Sequence, residues 1–280
     1  MQRKKENKLV KWTLIGISFI FLTVMLVLPM VYVMTTAFEK GVSAFVQAVT
    51  DVYARKAIFL TVEVTIITLI VNTIFGLFAA WAITRFEFLG KKVIYALIDL
   101  PLTVSPIIAG LIYVLTFGRQ SILYPILEKL DVSIIFAVPG IVLATIFVTF
   151  PFVSRQIIPV LNARGTDEEE AAALMGANGI TIFREITLPH IKWPLLYGMV
   201  LCAARAMGEF GAVSVLSGHL RGKTNTMPLY IELLYQGYDF SGAFAVSAIL
   251  VLMAVIVIIL ILRSFLENKG KRGADNGTGN

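Results

Sequence analysis

The chain has 280 residues, of which 58% are hydrophobic and 15% charged, and its formal net charge is +6. A water-soluble domain carries about 25% charged residues, so a soluble fold would lack the polar residues to cover its surface. The basic residues sit at the ends of apolar runs, which makes them topology signals and argues against a nucleic-acid patch.

Arg3, Lys4, Lys5, Lys8 and Lys11 form a basic N-terminus over 1–11 and precede an apolar run from Trp12 to Met34. That run would span about 34 Å as a helix, enough to cross a hydrocarbon core of about 30 Å. It is too long for a signal-peptide core, so the sequence predicts a retained first span. Further apolar runs follow at 58–84, 93–117, 134–154, 193–217 and 243–264. In lipid the backbone must satisfy its own hydrogen bonds, so each run is expected to be helical. The sequence therefore predicts an all-α polytopic membrane protein with six transmembrane helices. Pro29, Pro101, Pro106, Pro139 and Pro151 predict kinks or broken turns.

Sixteen of the 24 Lys and Arg residues fall in 1–11, 85–92, 155–192 and 263–280. Placing these segments in the cytoplasm gives an N-in, C-in topology. The transmembrane domain then covers 12–264, and a tail over 265–280, rich in Gly, Asn and charge, is expected to be disordered. Cys202, the one cysteine, lies in an apolar run and reads as a buried small residue.

The longest loop assigned to the cytoplasm, Arg155 to Lys192, has helical character of its own. Thr166 and Glu169 have capping-box spacing. Asp167 to Glu170 place negative charge at the positive end of a helix dipole. Ala171 to Ala173 propagate the helix, and Gly176 suits a left-handed cap. A second short helix is expected from Gly179 to Leu188, with Ile180, Phe183 and Ile186 on one side and Pro189 as its stop. The product is a helix–turn–helix knob whose small residues allow close approach by another protein.

Arg205 and Glu209, four apart within a run, are expected to share a helix face. They read either as a self-neutralising pair that fixes packing or as a pathway cation with its partner. Thr103, Ser105, Ser214 and Ser217 are candidate hydroxyl donors to an oxyanion, or interhelical bonds. Glu63 and Asp99 lie nearer span ends. His219, Arg221 and Lys223 fall in the last external loop, as a docking surface or a solvated one. His190 has no partner at metal-ligand spacing, so no metal site is expected.

Glu170-Ala171-Ala172, then Gly176, Ile186, Leu188 and Pro189 at fixed spacing, resemble the EAA loop of bacterial ABC import permeases. The resemblance implies that these seven residues form a coupling helix docking on an ATPase subunit. The segments Asp99–Gly110, Pro139–Val153 and Ala204–Gly218 are similar to those of sulfate/thiosulfate and molybdate permeases, the last to the W-type branch of the sulfate importers. One departure is Ala203, where that branch often carries Asn.

What the resemblance implies is a transport subunit, not an enzyme, in the cytoplasmic membrane of a prokaryote, moving sulfate or thiosulfate into the cell. It further implies two ATPase subunits that hold ATP and Mg, a homologous T-type permease completing a heterodimer, and an extracytoplasmic anion-binding protein. No cofactor is expected on this chain. The nearest phosphate-loop match, Ser217–Thr224, has Ser where the first Gly belongs and follows no strand. A molybdate/tungstate permease and a stand-alone secondary anion transporter remain alternative readings. The second would need repeated halves or paired carboxylates for ion coupling, and would give the knob no role.

Overall fold

In lipid, a backbone amide without a partner is so costly that chain direction can change only where prolines, caps or neighbouring helices absorb the loss. The computed structural model describes residues 8–275 and follows that rule. In chain order the helices are α1 (Lys8–Leu22), α2 (Leu28–Ala37), α3 (Val42–Thr50), α4 (Val52–Arg85), α5 (Lys91–Thr103), α6 (Pro106–Phe117), α7 (Tyr124–Lys129) and α8 (Val138–Thr149). They continue as α9 (Pro151–Arg164), α10 (Asp167–Leu174), α11 (Gly179–Ile182), α12 (Leu188–Met207), α13 (Gly211–Leu216), α14 (Met227–Gln236) and α15 (Phe240–Asp275). Two π turns, Thr23–Val27 and Phe183–Thr187, join α1 to α2 and α11 to α12. No strand occurs among the described residues.

Four helical stretches are long and apolar enough to cross a bilayer: Val10–Ala37, Val52–Arg85, Val138–Arg164 and Phe240–Val257. The expected run 93–117 is not one straight helix, because α5 and α6 meet at 110°. Pro106 explains the break. A residue before proline is pushed out of the helical region, and Ser105 duly has ψ 133. The expected run 193–217 is also divided, into α12 and the short α13, with Gly208 to Phe210 between them. Six apolar runs in sequence thus become four spanning helices, a bent pair and a broken helix. The expected basic N-terminus and disordered tail lie partly outside the described residues. Within them α1 starts at Lys8 and α15 runs to Asp275, so the last helix continues past the point where the tail was expected to begin.

The first span is exposed along its length and leans on α15, with Tyr32 edge-on to Phe244 at 5.9 Å. The interior is built from α4, α8, α9 and α12. Val153 is fully buried between two glycines. A β-carbon at Gly76 of α4 would lie 3.0 Å from the Val153 Cβ, and one at Gly198 of α12 would lie 3.0 Å from the Val153 Cα. Small residues at crossing points are how membrane helices gain contact without a hydrophobic driving force. The same device joins α6 to α13: a β-carbon at Gly110 would lie 2.7 Å from the Ala212 carbonyl oxygen, and one at Gly211 would lie 3.0 Å from the Pro106 Cβ.

A polar seam fixes the register of this interior. Thr61, Thr65, Thr68 and Asn72 lie on one face of α4 and are buried. The Asn72 amide donates to the Ile146 carbonyl at 3.2 Å and to Thr149 Oγ1 at 2.8 Å, and lies 3.6 Å from the Cys202 sulfur. One side chain thus ties α4 to α8 and α12. Cys202 is buried, as expected.

The end of the bundle remote from α10 is closed by side chains that organise the last loop. Asp51 caps α4, accepting from the amides of Tyr53 and Ala54 at 2.8 and 3.3 Å. Tyr230 donates to the same carboxylate at 3.2 Å. The Arg221 guanidinium lies over the Tyr53 ring, 4.3 Å from its centroid. Burial pushes the Asp51 carboxyl up, but these amides, the tyrosine and Arg221 together hold it below its usual value. Arg221 is therefore built into the loop's own structure.

Replacing Gly198 by Val should cost about 2 kcal/mol through overpacking against α9. The thermal midpoint in detergent should fall by several degrees. Gly16→Val, at a position with nothing within 4 Å of a β-carbon, should melt close to wild type. Equal midpoints for the two would show that α9 and α12 are not held by close approach.

Candidate functional site

The knob begins where α9 ends. Gly165, at φ +72, turns the chain, and α10 starts with Asp167, Glu168, Glu169 and Glu170 in its first turn, the charge that a helix N-terminus favours. Its end is a Schellman motif: the Gly176 amide bonds the Ala173 carbonyl and the Ala177 amide bonds the Ala172 carbonyl, each at 3.0 Å. Gly176 has φ +89, the left-handed cap expected of it. Asn178 then caps α11 by accepting from the Thr181 amide at 2.8 Å.

Two expectations about the knob are corrected. The capping box between Thr166 and Glu169 does not form. Thr166 donates to Glu170 instead, and Glu169 is taken by stronger partners. Pro189 does not stop the second helix. It sits in the first turn of α12, where a missing amide costs nothing. The chain passes from α11 through the π turn directly into α12. That turn also separates the three residues expected on one face. Phe183 packs 5.3 Å from the Trp81 ring of α4 and Ile186 is half-buried, whereas Ile180 is 81% exposed.

The stronger partner of Glu169 is Arg85, the last residue of α4. Arg85 Nε lies 2.8 Å from one carboxylate oxygen and Nη2 donates to the other at 3.0 Å, a two-pronged pair. Nη1 donates to the Leu161 carbonyl of α9 at 3.2 Å, and Thr187 of the π turn donates to Glu169 at 2.8 Å. Both charged side chains are largely buried. Four segments, the ends of α4 and α9, α10 and the π turn, converge on one ion pair. Beside it a small cavity is lined by Arg164, Glu168, Ile186 and His190 among others. There His190 Nε2 lies 2.6 Å from Glu168 and 3.2 Å from Arg164.

Of the other expected knob residues, Glu170, Ala171, Gly176 and Pro189 are exposed, and Ala172 is buried. Leu188 packs on the core that holds Val153 and Leu161. The tip carries a feature that reading for small residues missed: Leu174 and Met175 are 91% and 83% exposed, beside Ile180. Three bare apolar side chains surround the Gly176 cap.

The expected pathway residues divide. Thr103 and Ser214 spend their hydroxyls on their own helices, bonding Leu100 and Gly211 carbonyls at 2.8 Å. Ser217 is fully buried, and its oxygens accept from the His219 amide and from Thr224 in the last loop. Ser105 stands at the α6 N-cap and does not bond its first turn. Arg205 and Glu209 are joined at 2.7 Å, although the helix ends between them at Met207. The second Glu209 oxygen accepts from the Ala212 amide at 2.8 Å, capping α13. Asp99 lies 3.3 Å from Arg155 of α9 and stays partly exposed.

The family described as binding-protein-dependent transport system inner membrane component matches residues 72–271. The chain is 47% identical over 264 residues to the sulfate transport system permease protein CysW of Escherichia coli (strain K12), covering 94% of this chain and 91% of that one. To the CysW of Synechococcus elongatus (strain ATCC 33912 / PCC 7942 / FACHB-805) it is 46% identical over 269 residues, 96% of this chain and 93% of that one. A bacterial alginate ABC transporter, solved in complex with an alginate pentasaccharide-bound periplasmic protein, superposes with a TM-score of 0.75 at 18% identity, over 92% of this chain and 93% of that one.

Glu169→Ala would leave Arg85 charged and largely unpaired, at a cost of about 1–3 kcal/mol to the local structure. Amide exchange across 167–188 should accelerate by a factor on the order of 10 to 100, with the α8 and α12 interior unchanged. An exchange profile like wild type would mean that the knob is held by other contacts.

Proposed function

The chain belongs to the family of binding-protein-dependent transport system inner membrane components, and on that premise we propose that it is the permease subunit through which an ATP-driven importer moves sulfate or thiosulfate into the cell. The observation that carries the substrate is the 47% identity to a sulfate permease across 94% of the chain, knob and spans alike. The polypeptide itself is a transport component of multi-pass type. In this reading the transmembrane unit is residues 12–264, crossing six times with both ends in the cytoplasm, as the distribution of Lys and Arg favours. The bent pair α5–α6 and the broken α12–α13 each count as one pass, and 265–280 is a cytoplasmic tail. The membrane is the cytoplasmic membrane of a prokaryote.

The knob is then the coupling element. Two ATPase subunits, which bind ATP and Mg, lie beneath this permease and a T-type partner, and a binding protein delivers the anion from outside. Glu170, Ala171 and Gly176 present a capped helix end, and the bare Leu174, Met175 and Ile180 supply apolar area to bury in an ATPase cleft. Force on the knob reaches the spans through Arg85–Glu169 into α4, through Leu161 into α9, and through the π turn, Ile186, Leu188 and Pro189 into α12. The tight crossings at Gly76 and Gly198 make those helices move together. Broken helices near the middle of the span supply polar backbone at the place where a hydrated anion must shed water. Thr103, Ser105, Ser214 and Ser217 lie on or near those broken segments, with Arg205 and Glu209 at the second break.

Labelled sulfate uptake in cells with and without this chain, its partners present, tests the reading. Deletion should abolish uptake, and thiosulfate should compete where molybdate does so weakly. Lost molybdate uptake with unchanged sulfate uptake would reassign the substrate. Gly176→Pro tests the knob: proline's φ near −65° cannot replace φ +89. The variant should reach the membrane at normal levels and lose ATP-dependent uptake. Normal uptake by that variant would show that the knob does not couple.

A further inference from the structure

Two arginine–carboxylate pairs lie away from the knob, one between α5 and α9 and one where α12 ends, and neither is sealed inside the chain. Arg155 and Asp99 are 52% and 33% exposed at 3.3 Å separation, and Arg205 is half-buried over a fully buried Glu209 at 2.7 Å. Asp99 lies eight residues into α5 and Arg155 nine residues before the end of α9, about 12 Å along each helix from its knob end. Arg205 lies about 25 Å along α12 from the same end. Charges on helices of this kind are costly against lipid and call for water, a partner or protein cover.

The two helix breaks beside them call for the same cover. Ser105 precedes Pro106, and Pro106 packs against Gly211, two residues after Glu209. Asp99 is four residues, about 6 Å, before the end of α5 at Thr103, two residues short of Ser105. One pair thus lies on the knob side of the bend between α5 and α6, and the other at the break after α12. Thr103 and Ser105 at the bend, and Gly208 and Phe210 on either side of Glu209, are exposed. A face with two arginines, exposed hydroxyls and interrupted backbone must be covered by water or by protein, not by acyl chains.

Resting on the permease reading, we propose that Arg155 and Arg205 are successive stations for a tetrahedral dianion, each held between passages by its own carboxylate, Asp99 or Glu209. A guanidinium offers two parallel N–H donors that fit two oxygens of a tetrahedral oxyanion as well as those of a carboxylate. The arriving anion displaces the carboxylate, and the carboxylate's return displaces the anion. Binding is thus strong enough to draw the anion from water and weak enough to release it. Arg155, at the lower station, is the residue this assignment adds.

The test is labelled sulfate uptake by the whole complex, permeases and ATPases, reconstituted in vesicles with its binding protein, each variant first shown to assemble by size exclusion. Arg155→Gln should slow uptake at least tenfold. Arg155→Lys should recover part of it, because the charge remains without the fork. The double variant Arg155→Gln with Asp99→Asn leaves no charge uncompensated and should stay as slow as Arg155→Gln. A double variant restored to the wild-type rate would show that the pair only holds α5 to α9. That result would overturn the proposal and leave the permease reading standing. A wild-type complex that takes up no oxyanion would overturn both. If Arg155→Gln fails to assemble, the double variant decides alone, by the same two outcomes.

Discussion

Everything at the knob end depends on one ion pair. Arg85 and Glu169 are 84 residues apart, yet their two-pronged contact is the point where α4, α9, α10 and the π turn are joined. A carboxylate and a guanidinium withdrawn from water are stable only when every donor and acceptor is used. Here the carboxylate also accepts from Thr187, and the guanidinium also bonds a carbonyl. The junction thus has three hydrogen bonds beside the ion pair. Through them the knob is tied to the ends of the helices as well as to its flanking chain.

The bundle above the knob is held in its own way. Its rigidity comes from small residues and one amide more than from bulky packing. Gly76 and Gly198 bring α4 and α12 onto the same residue, Val153, and Asn72 sets the register among α4, α8 and α12. Lipid offers no hydrophobic reward for helix association, so close backbone approach and buried polar bonds carry the cohesion. The broken helix α12–α13 is part of this interior: Ala212, Val213 and Leu216 of α13 are buried against α4 and α8.

The sequence made the ends of the knob legible because they are local. Gly176 followed by Ala177 fixes a left-handed cap within four residues, and four acidic residues mark a helix start. Pro106 likewise announced the break in the third apolar run through the restriction on Ser105, whereas Pro101 lies inside α5 without breaking it. What stayed hidden was long-range. Thr166 and Glu169 have the spacing of a capping box, and nothing nearby reveals that Arg85 outcompetes Thr166 for Glu169. Pro189 looked like a stop because proline ends helices. That it opens the next helix is visible only when a π turn delivers the chain to its first turn. The break at Gly208 carried no proline, and Arg205 and Glu209 around it have the spacing of a continuous helix face. Asp99 read as a charge near a span end and Arg155 as the start of the cytoplasmic loop, and only the fold pairs them.

The contact between Gly110 and Ala212 has a consequence for how this molecule bends. With a carbonyl oxygen 2.7 Å from where a β-carbon would stand, α6 and α13 have no clearance to slide or roll against each other. The two segments that follow the breaks at Val104–Ser105 and Gly208–Phe210 therefore meet backbone to backbone. Position 110 is closed to every side chain, because even a methyl group would pry the two apart.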